Sequence, residues 1–150
     1  PAKIENGNEM RLDRGQGMMM NPTKTEGASG MTAKIRLNEP RQSWSFGFYF
    51  DVTDNDAEAK WVVVSSNGKI ELYDVNNRKA TVRQAVNLPA AVQVGKWVEL
   101  SWAADKETGE VVIYLDRQPV FAVKSVLDSK NAVGLSAEGD VSFKELRLRK

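Results

Sequence analysis

The chain of 150 residues contains neither histidine nor cysteine. Without histidine a Ser-His-Asp triad cannot form, and without cysteine there is neither a thiolate nucleophile nor a cysteine-based zinc site. A disulfide framework is excluded for the same reason. The catalytic chemistry that remains available rests on carboxylates.

Long apolar runs and an excess of one sign of charge are also absent. Apolar stretches extend over a few residues only, far short of the roughly 20 that cross a bilayer. The 21 basic residues nearly balance the 20 acidic ones, which leaves a formal net charge of +1. We therefore expect neither membrane insertion nor a nucleic-acid partner. The length suits one domain over residues 1–150, which we expect to be part of a longer protein.

Apolar residues recur at every second position through most of the chain, as is typical of half-buried β-strands. In residues 45–52 three phenylalanines, Phe46, Phe48 and Phe50, fall on one face, which we predict to be core. Ser66-Asn67-Gly68 predicts a tight hairpin turn, because Asn-Gly favours the positive φ angles that such turns require.

The last third of the chain has the clearest strand pattern. Val98, Leu100 and Trp102 alternate with polar residues, and Ile113 and Leu115 do so after a turn in which Gly109 supplies the positive φ. In the final strand the apolar positions shift parity between residues 141–143 and 146–148. This shift predicts a β-bulge near residues 144–145.

Ten or eleven short strands with this spacing predict an all-β fold, an antiparallel two-sheet jelly-roll sandwich. The segment Trp97-Val98-Glu99-Leu100, the turn ending at Gly109, the strand at 111–116 and the closure at 133–143 resemble concanavalin A-like domains of the lectin and glucanase superfamily. Within it, the pattern is similar to laminin-G-like domains and to the domain of the bacterial keto-disaccharide hydrolase and putative glycoside hydrolase group. The resemblance covers residues 31–150 and implies a jelly roll.

Several aromatic and acidic residues point away from the predicted core. Aromatic rings stack on the C–H groups of sugars, and polar side chains fix their hydroxyls. The residues that we predict to share the concave face and to bind ligand are Tyr49, Glu71, Tyr73, Trp97, Glu99 and Tyr114. The alternative is that they are ordinary half-buried residues on sheet surfaces. Trp44 and Trp61 are interpreted as structural.

A glycoside hydrolase needs two carboxylates across a sugar cleft. Glu71, Glu99 and Asp116 are the candidates, but Glu71 is followed two residues later by Tyr73 and Glu99 by Ser101. Neither strand supplies a paired acid, so we assign no catalytic residue.

Oxygen ligands for calcium are concentrated in the acidic loop that follows the phenylalanine strand. Asp51, Asp54 and Asp56 are its candidate ligands, although the EF-hand spacing is absent. No other cofactor is expected.

We therefore predict a noncatalytic binding module, with carbohydrate as its partner and an extracellular or periplasmic location. Two alternatives stay open. One is a glycoside hydrolase domain that uses carboxylates, and the other is an architectural or protein-binding domain.

Overall fold

The structure is a computed structural model that describes residues 2–5, 9–14, 28–39, 42–53, 58–125, 127 and 132–149. These residues form eleven β-strands, and none of them forms a helix that could cross a membrane. The strands are β1 (Ala2–Glu5), β2 (Glu9–Arg14), β3 (Gly30–Leu37), β4 (Ser45–Val52), β5 (Glu58–Ser65), β6 (Lys69–Asn76), β7 (Lys79–Asn87), β8 (Trp97–Ala104), β9 (Glu110–Leu115), β10 (Gln118–Lys124) and β11 (Ala132–Arg149).

The strands form two antiparallel sheets that share β11. The first sheet has the order β1-β2-β11-β3-β8-β9-β10, and the second has the order β11-β4-β5-β6-β7. Residues 132–138 of β11 pair with β4, whereas residues 139–149 pair with β2 and β3. Gly139 stands at the change of sheet with a φ of 91°, in the region that glycine adopts without a steric cost.

A polar cluster fixes the place where β11 changes sheet. The carboxylate of Asp140 is fully buried and accepts hydrogen bonds from Arg11 of β2, at 2.8 Å from Nε. It also accepts one from Nδ2 of Asn38, just after β3, at 2.9 Å. Because a buried carboxylate is costly without such partners, this cluster holds β2, β3 and β11 in one arrangement.

The inner faces of the two sheets make one hydrophobic core. Phe46, Phe48 and Phe50 of β4 are fully buried, as the alternation predicts. Phe50 stacks on Trp102 of β8 with ring centroids 4.3 Å apart, so this pair joins the second sheet directly to the first. Burial of each such side chain contributes about 1.5–3 kcal/mol. The predicted core residues Leu100, Trp102, Ile113 and Leu115 are also buried, and Val98 packs at the core's margin.

The predicted bulge is confirmed. The pairing of β11 with β3 shifts register between Lys144 and Arg147, and Glu145 within the shift has a φ of 52°. Gly109 has the expected positive φ, at 73°. The bulge places Leu148 opposite the buried Met31 of β3, although Leu148 itself remains 40% exposed near the end of β11.

Candidate functional site

Three aromatic side chains form a continuous row on the outer face of the second sheet. Tyr49 of β4 pairs with Trp61 of β5, and Trp61 pairs with Tyr73 of β6. The ring centroids are 5.4 Å apart in the first pair and 5.0 Å in the second, with interplanar angles of 11° and 29°. At these separations nearly parallel rings overlap only in part, in the offset stacks that aromatic rings prefer. All three side chains are half-buried, and we call them the aromatic row.

The hairpin between β5 and β6 aligns two members of the aromatic row. Its turn places Ser65 opposite Lys69, and the same register places Trp61 opposite Tyr73. Sequence reasoning missed Trp61 as a site residue because its strand reads Trp-Val-Val-Val, which conceals the alternation. The Asn-Gly turn was the signal that could have found it, since a fixed turn fixes every cross-strand pair of a hairpin.

A buried serine anchors the aromatic row. The Nε1 of Trp61 donates a hydrogen bond to the Oγ of Ser136 at 3.1 Å, although Ser136 lies in β11, two strands from β5. Between them, on β4, the residue opposite Ser136 is Gly47, which has no side chain to obstruct the indole. Burial raises the pKa of the Tyr49 phenol above its ordinary value of 10.0, and a hydrogen bond with Ser136 opposes part of that rise.

The carboxylate of Glu71 lies beside the aromatic row and is fixed by a hydrogen bond. Glu71 precedes Tyr73 by two residues on β6, so both point to the outer face. Glu71 is only 8% exposed, and its Oε1 accepts a hydrogen bond from Nδ2 of Asn67 at 3.0 Å. Asn67 is held in turn by the Oγ of Ser65, which donates to its Oδ1 at 2.7 Å. The Glu71 carboxylate therefore has a fixed orientation and keeps further lone pairs for a hydroxyl donor.

The phenol of Tyr73 interacts with the Glu71 carboxylate. Its pKa is raised by desolvation first, and then by the negative charge of Glu71 and by a hydrogen bond with it. The Tyr73 and Glu71 side chains are therefore in direct polar contact. The combination can bind a ligand that has an apolar surface and hydroxyl groups.

The six predicted ligand-binding residues do not share one face, and this part of the prediction is wrong. Tyr49, Glu71 and Tyr73 lie on the outer face of the second sheet. The other three residues are Trp97 and Glu99 on β8 and Tyr114 on β9. Strand β8 pairs with β3 and with β9, so these residues lie on the outer face of the first sheet, on the opposite side of the core. Parity tells which residues face away from the core but not which of two sheets a strand joins.

The three residues on the first sheet have their own contacts. Trp97 lies against two cations, Arg36 and Lys144. Glu99 pairs with Arg117, with Oε2 and Nε 2.9 Å apart. Tyr114 lies opposite Ser101 of β8.

The candidate carboxylates are divided between the two faces. Glu71 lies on the second sheet, whereas Glu99 and Asp116 belong to the first sheet and its β9–β10 turn. Asp116 Oδ1 accepts a hydrogen bond from the backbone N–H of Glu99 at 2.9 Å. Glu71 and Glu99 therefore cannot flank one sugar between them.

The predicted calcium ligands are only partly described. Asp51 is the last but one residue of β4 and has a φ of 54°, and Asp54 and Asp56 lie outside the described residues. Across the part of the chain that the structure describes, no group of three or more Asp or Glu side chains could hold a metal ion.

Similar proteins are found by structure and not by sequence. No protein-family model and no curated protein matches the sequence. The carbohydrate binding module CBM66 from Bacillus subtilis superposes with a TM-score of 0.78 at 15% identity, over 100% of this chain and 91% of that one. The fold is a concanavalin A-like jelly roll.

Two further structures show how widely this fold is used. A galectin of Caenorhabditis elegans, LEC-6, has a TM-score of 0.66 at 10% identity, covering 99% of this chain and 100% of that one. A β-glucanase of Bacillus licheniformis has a TM-score of 0.67 at 11% identity, covering 99% of this chain and 82% of that one. The fold class predicted from the sequence is thus confirmed. A galectin and a β-glucanase thus share this fold, so the function of the chain must be inferred from its residues.

Proposed function

We propose that this domain is a noncatalytic carbohydrate-binding module whose ligand lies along the aromatic row. The observation that carries the proposal is the row itself, three half-buried rings stacked across adjacent strands with the fixed Glu71 carboxylate beside them. Sugars present apolar C–H surfaces to aromatic rings and hydroxyls to fixed acceptors. The names of two similar structures, a carbohydrate binding module and a galectin, support the same class of ligand.

The shape of the aromatic row favours a glycan chain over a single small group. The row crosses three strands, or about 10 Å at the usual strand spacing. Because Trp61 stacks on both tyrosines, its faces are shared with them, and its edge is what it offers to a ligand. Glu71 carries a negative charge next to the row, so we expect a neutral glycan to bind better than an acidic one.

A noncatalytic role is supported by the separation of the carboxylates. Glycoside hydrolysis needs two of them flanking one bond. Glu71 stands on the face opposite Glu99 and Asp116, and those two are engaged within the protein by Arg117 and by the backbone N–H of Glu99. The hydrolase alternative retains the support of the β-glucanase fold and would be revealed by turnover that a Gln or Asn substitution at Glu71, Glu99 or Asp116 abolishes.

Three finer predictions belong to the same proposal. They are an extracellular or periplasmic location, a grouping with laminin-G-like or keto-disaccharide hydrolase domains, and calcium at Asp51, Asp54 and Asp56. We expect glycan binding to survive chelation by EDTA, because no member of the aromatic row is a metal ligand.

The test is calorimetric titration with neutral oligosaccharides of the glucan, xylan, mannan, galactan and fructan types. We expect one class to bind, and Trp61→Ala to weaken that binding about tenfold or more, since a central aromatic side chain carries much of the binding energy of such sites. Trp97→Ala is the matched control on the opposite face and should retain the affinity of the wild type. Equal losses in the two variants, or no binding to any class, would contradict the proposal.

A further inference from the structure

A second cluster of aromatic and charged side chains lies on the outer face of the first sheet, around Trp97. The Nζ of Lys144, in β11, is 4.0 Å from the centre of the indole ring, and the Cζ of Arg36, in β3, is 4.6 Å from it. Both distances are those of cation–π contacts. One aromatic ring thus holds two positive charges close together.

A shallow depression of about 320 Å³ opens beside this ring. That volume lies at the lower end of small-ligand pockets. Its charged lining consists of Lys34, Lys144, Arg117, Glu99 and Asp116.

The two carboxylates of the lining are engaged within the protein. Glu99 pairs with Arg117, and Asp116 accepts a hydrogen bond from the backbone of Glu99. Lys34 is bound to Glu145, outside the lining, with Nζ and Oε2 2.8 Å apart. Lys144 forms no salt bridge with any carboxylate that the structure describes, although its charge acts on its chain neighbour Glu145, and its ammonium group faces the indole. The depression therefore offers a cation for a ligand anion, and carboxylate lone pairs for ligand hydroxyls.

We propose that this depression is a second binding site, separate from the aromatic row, for a saccharide unit that bears a carboxylate, such as a uronic acid. The ligand carboxylate binds Lys144 with Lys34 beside it, the sugar ring contacts the uncovered part of Trp97, and its hydroxyls donate to Glu99 and Asp116. The two faces would then select different sugars, a neutral one on the second sheet and an acidic one on the first. This site does not depend on the function proposed for the aromatic row.

The test uses trigalacturonate and its fully methyl-esterified form as a neutral match, in an NMR titration at low ionic strength. We expect trigalacturonate to bind saturably, to shift the Trp97 indole N–H resonance, and to bind about tenfold more tightly than the ester. Lys144→Gln should weaken trigalacturonate binding by about the same factor. Lys79→Gln, which changes an exposed lysine at the start of β7, is the matched control and should change nothing.

Several results would overturn the proposal. They are equal affinity for the acid and the ester, an unchanged affinity in Lys144→Gln, and an equal loss in Lys79→Gln, which would indicate attraction by net charge alone. If Lys144→Gln does not fold, Lys34→Gln tests the same depression and should weaken binding of the acid but not of the ester. Trp61→Ala should leave trigalacturonate binding intact, so a failure of this site is distinguishable from a failure of the aromatic row.

Discussion

Gly47 offers a sharp test of how the second sheet is built. It lies buried in β4, between Ser136 on one neighbouring strand and Val63 on the other. A Cβ added there would stand 2.9 Å from the carbonyl carbon of Val62 and 2.9 Å from the Cα of Val63, and closer still to the carbonyl oxygen of Val62. These are backbone atoms of β5, which cannot rotate away as a side chain would. Gly47→Ala therefore forces β4 and β5 apart locally.

The expected cost of Gly47→Ala follows from that geometry. Overpacking of a buried site costs about 1–3 kcal/mol, and each ladder hydrogen bond that is lost adds about 1 kcal/mol. We expect the free energy of unfolding to fall by about 3 kcal/mol. For a domain of this size the melting temperature should then fall by about 6–12 °C. Urea unfolding followed by circular dichroism measures the first quantity, and a thermal melt measures the second.

Gly68→Ala is the control for Gly47→Ala. No atom lies within 4 Å of a Cβ added at Gly68, whose φ is 80°. That variant carries only the cost of a positive φ, about 1 kcal/mol. If Gly47→Ala lowers the free energy of unfolding no more than Gly68→Ala does, β4 and β5 do not approach as closely as described. That result would also refute the idea that Gly47 leaves room on β4 for the Trp61 indole to reach Ser136.

Two further predictions concern a turn and a phenol. In the β6–β7 turn Asn77 and Arg78 have φ angles of 51° and 65°, which glycine adopts more readily than arginine. Arg78→Gly should therefore raise the free energy of unfolding, measured by urea titration, by about 0.5–1 kcal/mol. An unchanged or lower free energy of unfolding would contradict this prediction. Folding raises the pKa of Tyr49, so its contribution to stability is complete below pH 10.0 and is lost as the pH rises through the higher folded value. The urea midpoint of the wild type should thus fall more steeply above pH 10 than that of Tyr49→Phe, and parallel curves would show that Tyr49 is not the group responsible.

Local patterns of the chain predict the strands and their inner faces well. Phe46, Phe48 and Phe50 alternate with polar residues because a strand places successive side chains on opposite faces, and one of those faces is buried. The bulge near Glu145 was recognisable because a single extra residue reverses parity. Both features depend on residues close together in the chain.

The arrangement of the strands in space was harder to predict. β8 follows β7 along the chain but pairs with β3, so Trp97 lies far from Tyr73 although both point away from the core. The passage of β11 from one sheet to the other likewise depends on partners distant in sequence, such as Asp140 with Arg11. Strand β1, which pairs with β2, has only four residues, too few for its alternation to stand out. Long-range pairing of this kind is decided by the whole fold.

The central claim is that a neutral glycan binds along Tyr49, Trp61 and Tyr73. Its most direct measurement is an NMR titration, with the best neutral oligosaccharide, that follows the indole N–H resonances of the four tryptophans. The account predicts that the Trp61 resonance shifts and saturates, because its N–H is held beneath the ligand by Ser136, while those of Trp97 and of the buried Trp102 stay in place. A saturable shift of Trp97 with Trp61 unmoved, or no shift with any neutral oligosaccharide, would contradict it.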